Sequence, residues 1–565
     1  MSLIVGISSK QGKDVSQDIT SMLEAMSYGN SGLISVVIGG FMQKGDKITD
    51  LNLSSLSSDK AMGQVSFGDG MKKEPHFDCT HKLSLVYDGE LYNYGELRTN
   101  LKREHTFKTE SLREAVVHLL EEHYQGDLLS AIKATIKFFD GGYAMAACDG
   151  VKIVVVQDPL GIRPLYFAED ENCFAFASQK KALWGAGFQE VKPLRAGMIA
   201  ISNLRKVEFD QGLSLKSMGT GVEIKSLSQA MECYEEKLYA AVEKRLQDLD
   251  KAGLLLSGGV DSCLVAKIAQ EIANQKGIKL TCYTAGLANS LDVQYSQDFA
   301  KGLGLQHKVN LLDIDRIEAY IPKVIRAVEE RDFVQIEAGI GIYAADEMAA
   351  EDDIKVIFSG QGPDELWGGY VWYPKVIEKE GYEGFLQKEW EDIERADIET
   401  FDRENKIAAT LGIEVRFPYA DLDVVKIAMS VSPELKIPSP EDTLGKHPHR
   451  ELAKKVGIPA EYAYRTKESA QHGTGIHSLL EMIAKRNGFD GELAERIGYD
   501  PEKVTTEKLG SSARYGYCYV KRKPWLVPPY VQLFLDIMAY RNHLLNQKER
   551  KAIEALLPKL NSIFD

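Results

Sequence analysis

The run Leu254-Leu-Leu-Ser-Gly-Gly-Val-Asp-Ser262 sets two glycines, two hydroxyls and one carboxylate at the end of an apolar stretch. Gly258 and Gly259 allow backbone torsions closed to other residues and let the chain approach a ligand closely. Successive N–H groups at a helix N-terminus form an anion cradle, to which Ser257 and Ser262 add hydroxyl donors. Asp261 faces a bare phosphate badly, so its presence implies a divalent cation between the two. A second loop, Ser359-Gly-Gln-Gly-Pro-Asp-Glu365, closes another apolar run and offers Asp364 to the same Mg²⁺ against a triphosphate. Lys467, in Tyr464-Arg-Thr-Lys-Glu-Ser-Ala-Gln-His-Gly-Thr-Gly475, is suited to neutralise charge building on a leaving pyrophosphate. Each residue alone is an ordinary solvated side chain; their co-occurrence at strand ends carries the reading.

Such loops need strands and helices in alternation to hold them. Residues 254–256 read as the end of a buried strand and 263–269 as the opening of a helix. A long amphipathic helix over 226–249 precedes them, and apolar strands over 279–285 and 355–358 follow. This alternation predicts a parallel sheet with crossover helices. Ligands bind beyond the carboxyl ends of such strands, so the 359–365 loop should face the 257–262 loop. The first 200 residues differ. Short β-rich runs at 4–7, 32–38, 83–87, 143–147, 152–156 and 173–177, with helical patterns at 18–26 and 111–123, predict an α+β layered domain. Residues 203–225 are polar and aperiodic and read as a linker. The expected division is therefore 1–202, a linker at 203–225, 226–480, and a helical extension at 481–565, interrupted by Lys523-Pro-Trp-Leu-Val-Pro-Pro529.

At 565 residues the chain exceeds what one core supports. A net charge of −15 argues against a nucleic-acid face, and the densest basic run, Lys521-Arg-Lys523, reads as a solvated turn. No signal-peptide pattern opens the sequence and no apolar run approaches a membrane span. The seven cysteines are scattered without a Cys-x-x-Cys pair, which fits reduced thiols in a cytoplasm and offers no zinc or redox framework. A cytoplasmic protein without nucleic-acid or membrane partners is expected, and a homodimer is compatible with the sequence.

Several motifs in order resemble the asparagine synthetases along nearly all of the first 480 residues. In the second half they are Leu256-Ser-Gly-Gly-Val-Asp-Ser262, Phe358-Ser-Gly-Gln-Gly-Pro-Asp-Glu-Leu-Trp-Gly-Gly-Tyr370, Gly412-Ile-Glu-Val-Arg-Phe-Pro-Tyr-Ala-Asp421 and Arg465-Thr-Lys467. In the first half they are Asp88-Gly-Glu-Leu-Tyr-Asn-Tyr-Gly-Glu-Leu-Arg98, Phe139-Asp-Gly-Gly-Tyr-Ala-Met-Ala146 and Asp158-Pro-Leu-Gly-Ile-Arg-Pro-Leu-Tyr166. The resemblance implies an α/β protein: an α+β Ntn-hydrolase-like glutamine-amidotransferase domain, then a parallel-sheet ATP-pyrophosphatase domain. It also implies the cofactors ATP and Mg²⁺ and the reaction, in which a carboxylate is adenylated, pyrophosphate leaves, and ammonia or an amine attacks. Carried over, Ser257, Gly258, Gly259, Asp261 and Ser262 hold pyrophosphate, and Asp261 and Asp364 bind magnesium. Lys467 supports the departing phosphates, while Leu256, Gly286, Ser359 and Gly360 border the nucleotide.

The departures from the family pattern are as informative. Its glutaminase uses an N-terminal cysteine, and here position 2 is Ser2, far less ionised. The family's Asn-Gly-Glu reads Asp88-Gly89-Glu90, the glutamine-clamping arginine is missing around Gln64-Val65-Ser66, and the amine-holding acid falls at Leu112. A retained scaffold without glutaminase activity is the expectation, so nitrogen comes from free ammonia or a substrate amine. In the synthetase half Gln361 replaces an acid, removing a candidate general base. Gln335 and Glu337 stand where the family anchors aspartate; a carboxylate there repels another carboxylate. In these positions the chain is similar to the β-lactam synthetases.

An ATP-dependent amide ligase using ammonia, with aspartate as default acceptor, is the leading expectation. A β-lactam-synthetase-like or other adenylating ligase would take a cationic substrate held by Glu337. A non-catalytic nucleotide-binding regulator should have lost the nucleotide residues, and a tRNA-modifying pyrophosphatase would want a basic face and paired cysteines.

Overall fold

The computed structural model describes residues 2–27, 32–67, 77–108, 111–219, 221–466, 473–504 and 528–564. Lys467, the basic run at 521–523 and most of the proline-interrupted stretch lie outside the described residues. The chain divides into two compact units: Met1–Gly219 with Ala396–Asp402, and Thr220–Arg395 with Arg403–Asp565.

The first unit stacks two antiparallel sheets. One is built from β1 (Ser2–Ser9), β2 (Leu33–Ile38), β3 (Phe41–Gly45), β4 (Lys60–Ser66), β8 (Tyr166–Glu169), β9 (Cys173–Ala177) and β10 (Val191–Pro193). Its order is β10-β8-β9-β1-β4-β2-β3. The other runs β12-β11-β7-β6-β5, with β5 Ser84–Leu91, β6 Gly141–Cys148, β7 Ile153–Gln157, β11 Met198–Ser202 and β12 Val207–Gln211. Between the sheets lies a core of Ile4, Met62, Val86, Ala144, Val155, Phe174 and Phe176. Burying each of these phenylalanines is worth about 1.5–3 kcal/mol. Gly6 belongs to that packing, because a Cβ there would lie 2.3 Å from the Phe176 ring. Helix α1 (Ser16–Met26) covers the first sheet. Helix α2 (Leu112–His123) covers the second, burying Val116, Val117 and Leu120 against Leu85 and Tyr87. This helix–sheet–sheet–helix layering is the Ntn-type amidotransferase arrangement expected for the first unit.

Part of the expected linker is not a linker. Val207–Gln211 pairs antiparallel with Met198–Ser202, so residues 207–211 finish the second sheet as an edge strand. An edge strand solvates one side and so carries the polar residues that make it look like a loop. Strand β4 was also unreadable from pattern. It lies between β1 and β2, is buried throughout, and yet reads Lys-Ala-Met-Gly-Gln-Val-Ser.

The second unit is built on five parallel strands in the order β15-β14-β13-β16-β17. They are β13 (Lys251–Leu255), β14 (Lys279–Leu287), β15 (Gln306–Leu312), β16 (Val356–Phe358) and β17 (Glu414–Arg416). Helix α3 (Leu227–Arg245) precedes the sheet, and α4 (Val260–Lys276) follows β13 directly. Gly277, left-handed at φ +71°, ends α4. Beyond them, α5 (Phe333–Glu351), the short α6 (Pro363–Trp367) and α7 (His447–Lys455) complete what surrounds the strand ends. The described residues after 480 belong to this same unit rather than trailing from it. Helix α8 (Pro529–Arg541) presents Asp536 to buried Arg331 at 2.6 Å, and Glu549 meets the same guanidinium at 3.0 Å. No helix among the described residues is long and apolar enough to cross a membrane.

Candidate active site

Strands β13 and β16 are neighbours, with Leu254 opposite Phe358, so the two loops at their carboxyl ends must meet. They do. A Cβ on Gly360 would sit 2.9 Å from the Ser262 nitrogen, a distance only glycine tolerates. The 257–262 loop is closed by its own hydroxyls: Ser257 N–H donates to Ser262 Oγ at 3.1 Å, and Ser262 Oγ donates to the Gly259 carbonyl at 3.2 Å. Gly258 is left-handed at φ +71°, and a Cβ there would strike Tyr295 at 2.5 Å. Gly259 caps α4, so the helix begins immediately behind the cradle.

Asp261 in the first turn of α4 and Asp364 in α6 converge on one cation. Lys446 Nζ lies 2.8 Å from Asp261 Oδ2 and 2.7 Å from Asp364 Oδ1, and the lysine is 1% exposed. His449, one turn along α7, places Nε2 3.1 Å from Asp261 Oδ1. Burial keeps its pKa below the ordinary histidine value despite that carboxylate, which favours the neutral ring. Behind them burial, reinforced by the Asp364 charge, pushes Glu365 up to about 8. Two carboxylates meeting at one positive point, beside the glycine-rich loop, suit Mg²⁺ held jointly with phosphate oxygens. Lys446 was missed in the sequence; its signal is a lone lysine after Gly445, opening α7 in the left-handed conformation at φ 57°.

A cavity of about 170 Å³ opens beside these groups, lined among others by Leu256, Ser257, Gly259, Asp261, Ser262, Ser359, Gly360 and Gln361. Lys446, Arg450 and Arg465 supply its positive side. Arg465 reaches the Ser257 carbonyl at 3.3 Å and Asp292 at 3.2 Å, and lies over the Tyr295 ring. Lys467 follows two residues later, outside the described residues. Gly286 is set back from the cavity: a Cβ there would meet Ser290 Oγ at 2.9 Å.

The acid that position 361 lacks arrives from elsewhere. Gln361 Nε2 donates to Glu404 Oε1 at 2.8 Å, and Glu404 lines the cavity while 2% exposed. Burial raises its carboxyl above the ordinary value, against the pull of Arg403, and its charge adds to the strong upward shift of buried Asp346. Gln335 and Glu337 fall otherwise than expected. Both are buried in α5 and neither lines the cavity among the described residues. Gln335 Oε1 accepts from Arg403 at 2.9 Å, and Glu337, 1% exposed, meets His477 Nδ1 at 2.7 Å. The carboxylate expected to anchor a cationic substrate is thus paired internally, because the helix turns it toward His477.

In the first unit the residues expected to form a lost glutaminase site do come together. Ser2 is fully buried; its N–H donates to Asp88 Oδ1 at 3.1 Å, and its Oγ lies 3.0 Å from Ser66 Oγ. Gly89, at φ +146°, lets β5 pass the Gly142 carbonyl, which a Cβ would meet at 2.3 Å, and Glu90 continues the strand. Unforeseen is Arg113 of α2, which donates to Ser2 Oγ at 2.5 Å and to the Tyr87 carbonyl at 3.0 Å. A guanidinium hydrogen-bonded to that hydroxyl occupies its lone pair and fills the space beside it.

Comparison with known proteins settles the lineage. The family model described as asparagine synthase matches residues 234–398 and 377–528. The chain belongs to the asparagine synthase family. It is an ATP-dependent carbon–nitrogen ligase of that family, and a glutamine amidotransferase domain model matches residues 68–185. A Methanocaldococcus jannaschii protein, provisionally described as a glutamine-hydrolyzing asparagine synthetase, is 30% identical over 521 residues, 84% of this chain and 93% of that protein. Human glutamine-hydrolyzing asparagine synthetase is 28% identical over 490 residues, 81% of this chain and 84% of that protein.

Proposed function

We propose that the protein forms an amide from aspartate and free ammonia, with ATP as the activating substrate, and that it does not hydrolyse glutamine. The convergence of Asp261 and Asp364 on a single cation beside the Ser257–Ser262 loop carries the reading. The aspartate carboxylate attacks the α-phosphorus, the acyl-adenylate forms, and pyrophosphate leaves into the glycine cradle. Asp261 and Asp364 would hold Mg²⁺, which when bound neutralises phosphate charge. Lys446 and Arg465 face the same region, and Lys467 joins them by its place in the motif. Ammonia then attacks the acyl carbon, AMP departs, and the nitrogen's surplus proton passes to Glu404, which Gln361 orients. A carboxylate raised by burial is a better proton acceptor near neutral pH than an ordinary one.

Absence of glutaminase activity is supported by chemistry at Ser2. A buried hydroxyl needs an adjacent base to become a nucleophile, and Arg113, the group donating to it, can only donate. The relatives above are named for glutamine hydrolysis, and in this chain position 2 is a serine to which Arg113 donates. AMP and pyrophosphate release from aspartate, with ammonium or glutamine as the nitrogen source, tests the proposal. Turnover with ammonium alone supports it; turnover with glutamine, or none with aspartate, overturns it.

A further inference from the structure

In the first unit Cys79, His105, His118 and Glu121 bring one ligand atom each to within 4.8 Å of one another. Cys79 sits in the turn between Phe77 and Ser84, which bridge antiparallel; His105 lies in the loop before α2. His118 and Glu121 stand three residues apart on α2 and so share one face.

The edges of the cluster are measurable. Cys79 Sγ is 3.5 Å from Nδ1 of His105 and 3.5 Å from Nδ1 of His118. Glu121 Oε2 is 3.3 Å from each of the same two nitrogens. A tetrahedral zinc with Zn–S about 2.3 Å and Zn–N and Zn–O about 2.0–2.1 Å has S–N edges of about 3.5 Å and N–O edges of about 3.3 Å. All four measured edges have those lengths.

The outward nitrogens argue against a hydrogen-bond cluster built on neutral rings. His105 Nε2 lies 3.3 Å from Glu122 Oε1, and His118 Nε2 lies 3.8 Å from Glu114 Oε1. Both carboxylates are fixed, Glu122 by the N–H groups of Lys102 and Arg103 and Glu114 by that of Lys108. If the neutral rings carried their protons on Nδ1 to satisfy Glu121, their bare Nε2 atoms would face carboxylates. With Nδ1 on a metal, His105 Nε2–H points at Glu122 Oε1, the usual outer support of a ligating histidine, while His118 Nε2 faces Glu114 at 3.8 Å, beyond hydrogen-bond reach. A thiolate and one carboxylate also balance a divalent charge.

We propose that these four side chains hold one structural Zn²⁺. Four protein ligands leave no open position, so the ion is not catalytic. It ties the turn at Cys79 and the loop at His105 to α2, the helix whose first turn carries Arg113 to Ser2. The spacing, with Cys79 26 residues from His105 and 39 from His118, resembles no paired-cysteine motif, which is why the cysteine pattern gave no sign of zinc.

The test uses the full chain, loaded with Zn²⁺ or Co²⁺ and freed of loosely held metal. One zinc per chain is expected, together with a cobalt spectrum showing tetrahedral ligand-field bands and a thiolate charge-transfer band. Cys79→Ser, an isosteric change at an exposed position, should abolish that band and lose the stoichiometric zinc. Glu122→Gln, which keeps its acceptor oxygen for the two N–H groups, should weaken zinc binding by about 10- to 100-fold. Less than stoichiometric zinc in the parent protein, a cobalt spectrum without the thiolate band, or undiminished zinc in Cys79→Ser would overturn the assignment.

Discussion

Replacing Lys446 with methionine keeps the aliphatic stem and removes an ammonium that Asp261 and Asp364 share. Its Nζ lies 2.8 and 2.7 Å from the two carboxylates and is almost wholly buried, whereas the carboxylates are 15% and 11% exposed. Breaking a buried ion pair costs about 3–5 kcal/mol because it strands the partner charge. Residual access to water at both carboxylates puts the expected loss near about 3 kcal/mol in metal-free buffer. The same change empties the meeting point of the two acids, so Mg²⁺ alone should bind the variant more tightly than the parent. If the cation relieves all of that strain, the gain reaches about 100-fold, since about 1.4 kcal/mol is tenfold. Thermal unfolding followed across a Mg²⁺ titration without nucleotide reads both effects. Because the chain has two units, the transition protected by Mg²⁺ with ATP is the one to follow. Unchanged stability without metal, or Mg²⁺ affinity no greater in Lys446→Met, would refute the convergence of the two carboxylates as the metal locus.

Three further outcomes are expected. Ser2→Cys should release no glutamate from glutamine, because Arg113 still occupies the side of the new thiol; measurable glutaminase activity would show that the nucleophile alone was missing. Glu404→Gln should lower amide formation by about 10²–10⁴ while sparing pyrophosphate exchange, since it removes a proton acceptor used after adenylation; equal loss of both steps would contradict that role. Glu365, with a native pKa of about 8 against an ordinary 4.5, holds its proton longer when folded. Its contribution to stability is full below about 4.5 and is lost as pH rises through about 8. Thermal midpoints of Glu365→Gln should therefore fall less than the parent's between about 4.5 and 8, and parallel curves across that window would reject the shift.

The parallel sheet and its two facing loops were legible because each rests on local signals: an apolar run, then glycines at positions where a Cβ would collide. Gly258 and Gly360 are such positions, and the meeting of their loops follows from strand adjacency alone. Lys446, Glu404 and Arg113 were not legible, because each reaches its site from a distant segment through tertiary packing. Lys446 lies 185 residues from Asp261, and Arg113 lies 111 from Ser2. Glu337 shows the converse error. The sequence shows which residue stands there, but the direction of its side chain, toward His477 rather than the cavity, is set by how that helix packs. The edge strands β12 and β15 escaped because solvated edges dilute the apolar pattern, as in Gln-His-Lys-Val-Asn-Leu-Leu.

Exchange of labelled pyrophosphate into ATP, run with aspartate and compared between the parent protein and Asp261→Asn, tests the adenylating site most directly. Aspartate-dependent exchange in the parent, falling by at least about 100-fold in Asp261→Asn while the fold is kept, is the predicted result. Exchange that persists unchanged in Asp261→Asn, or none in the parent with any carboxylate, would contradict it.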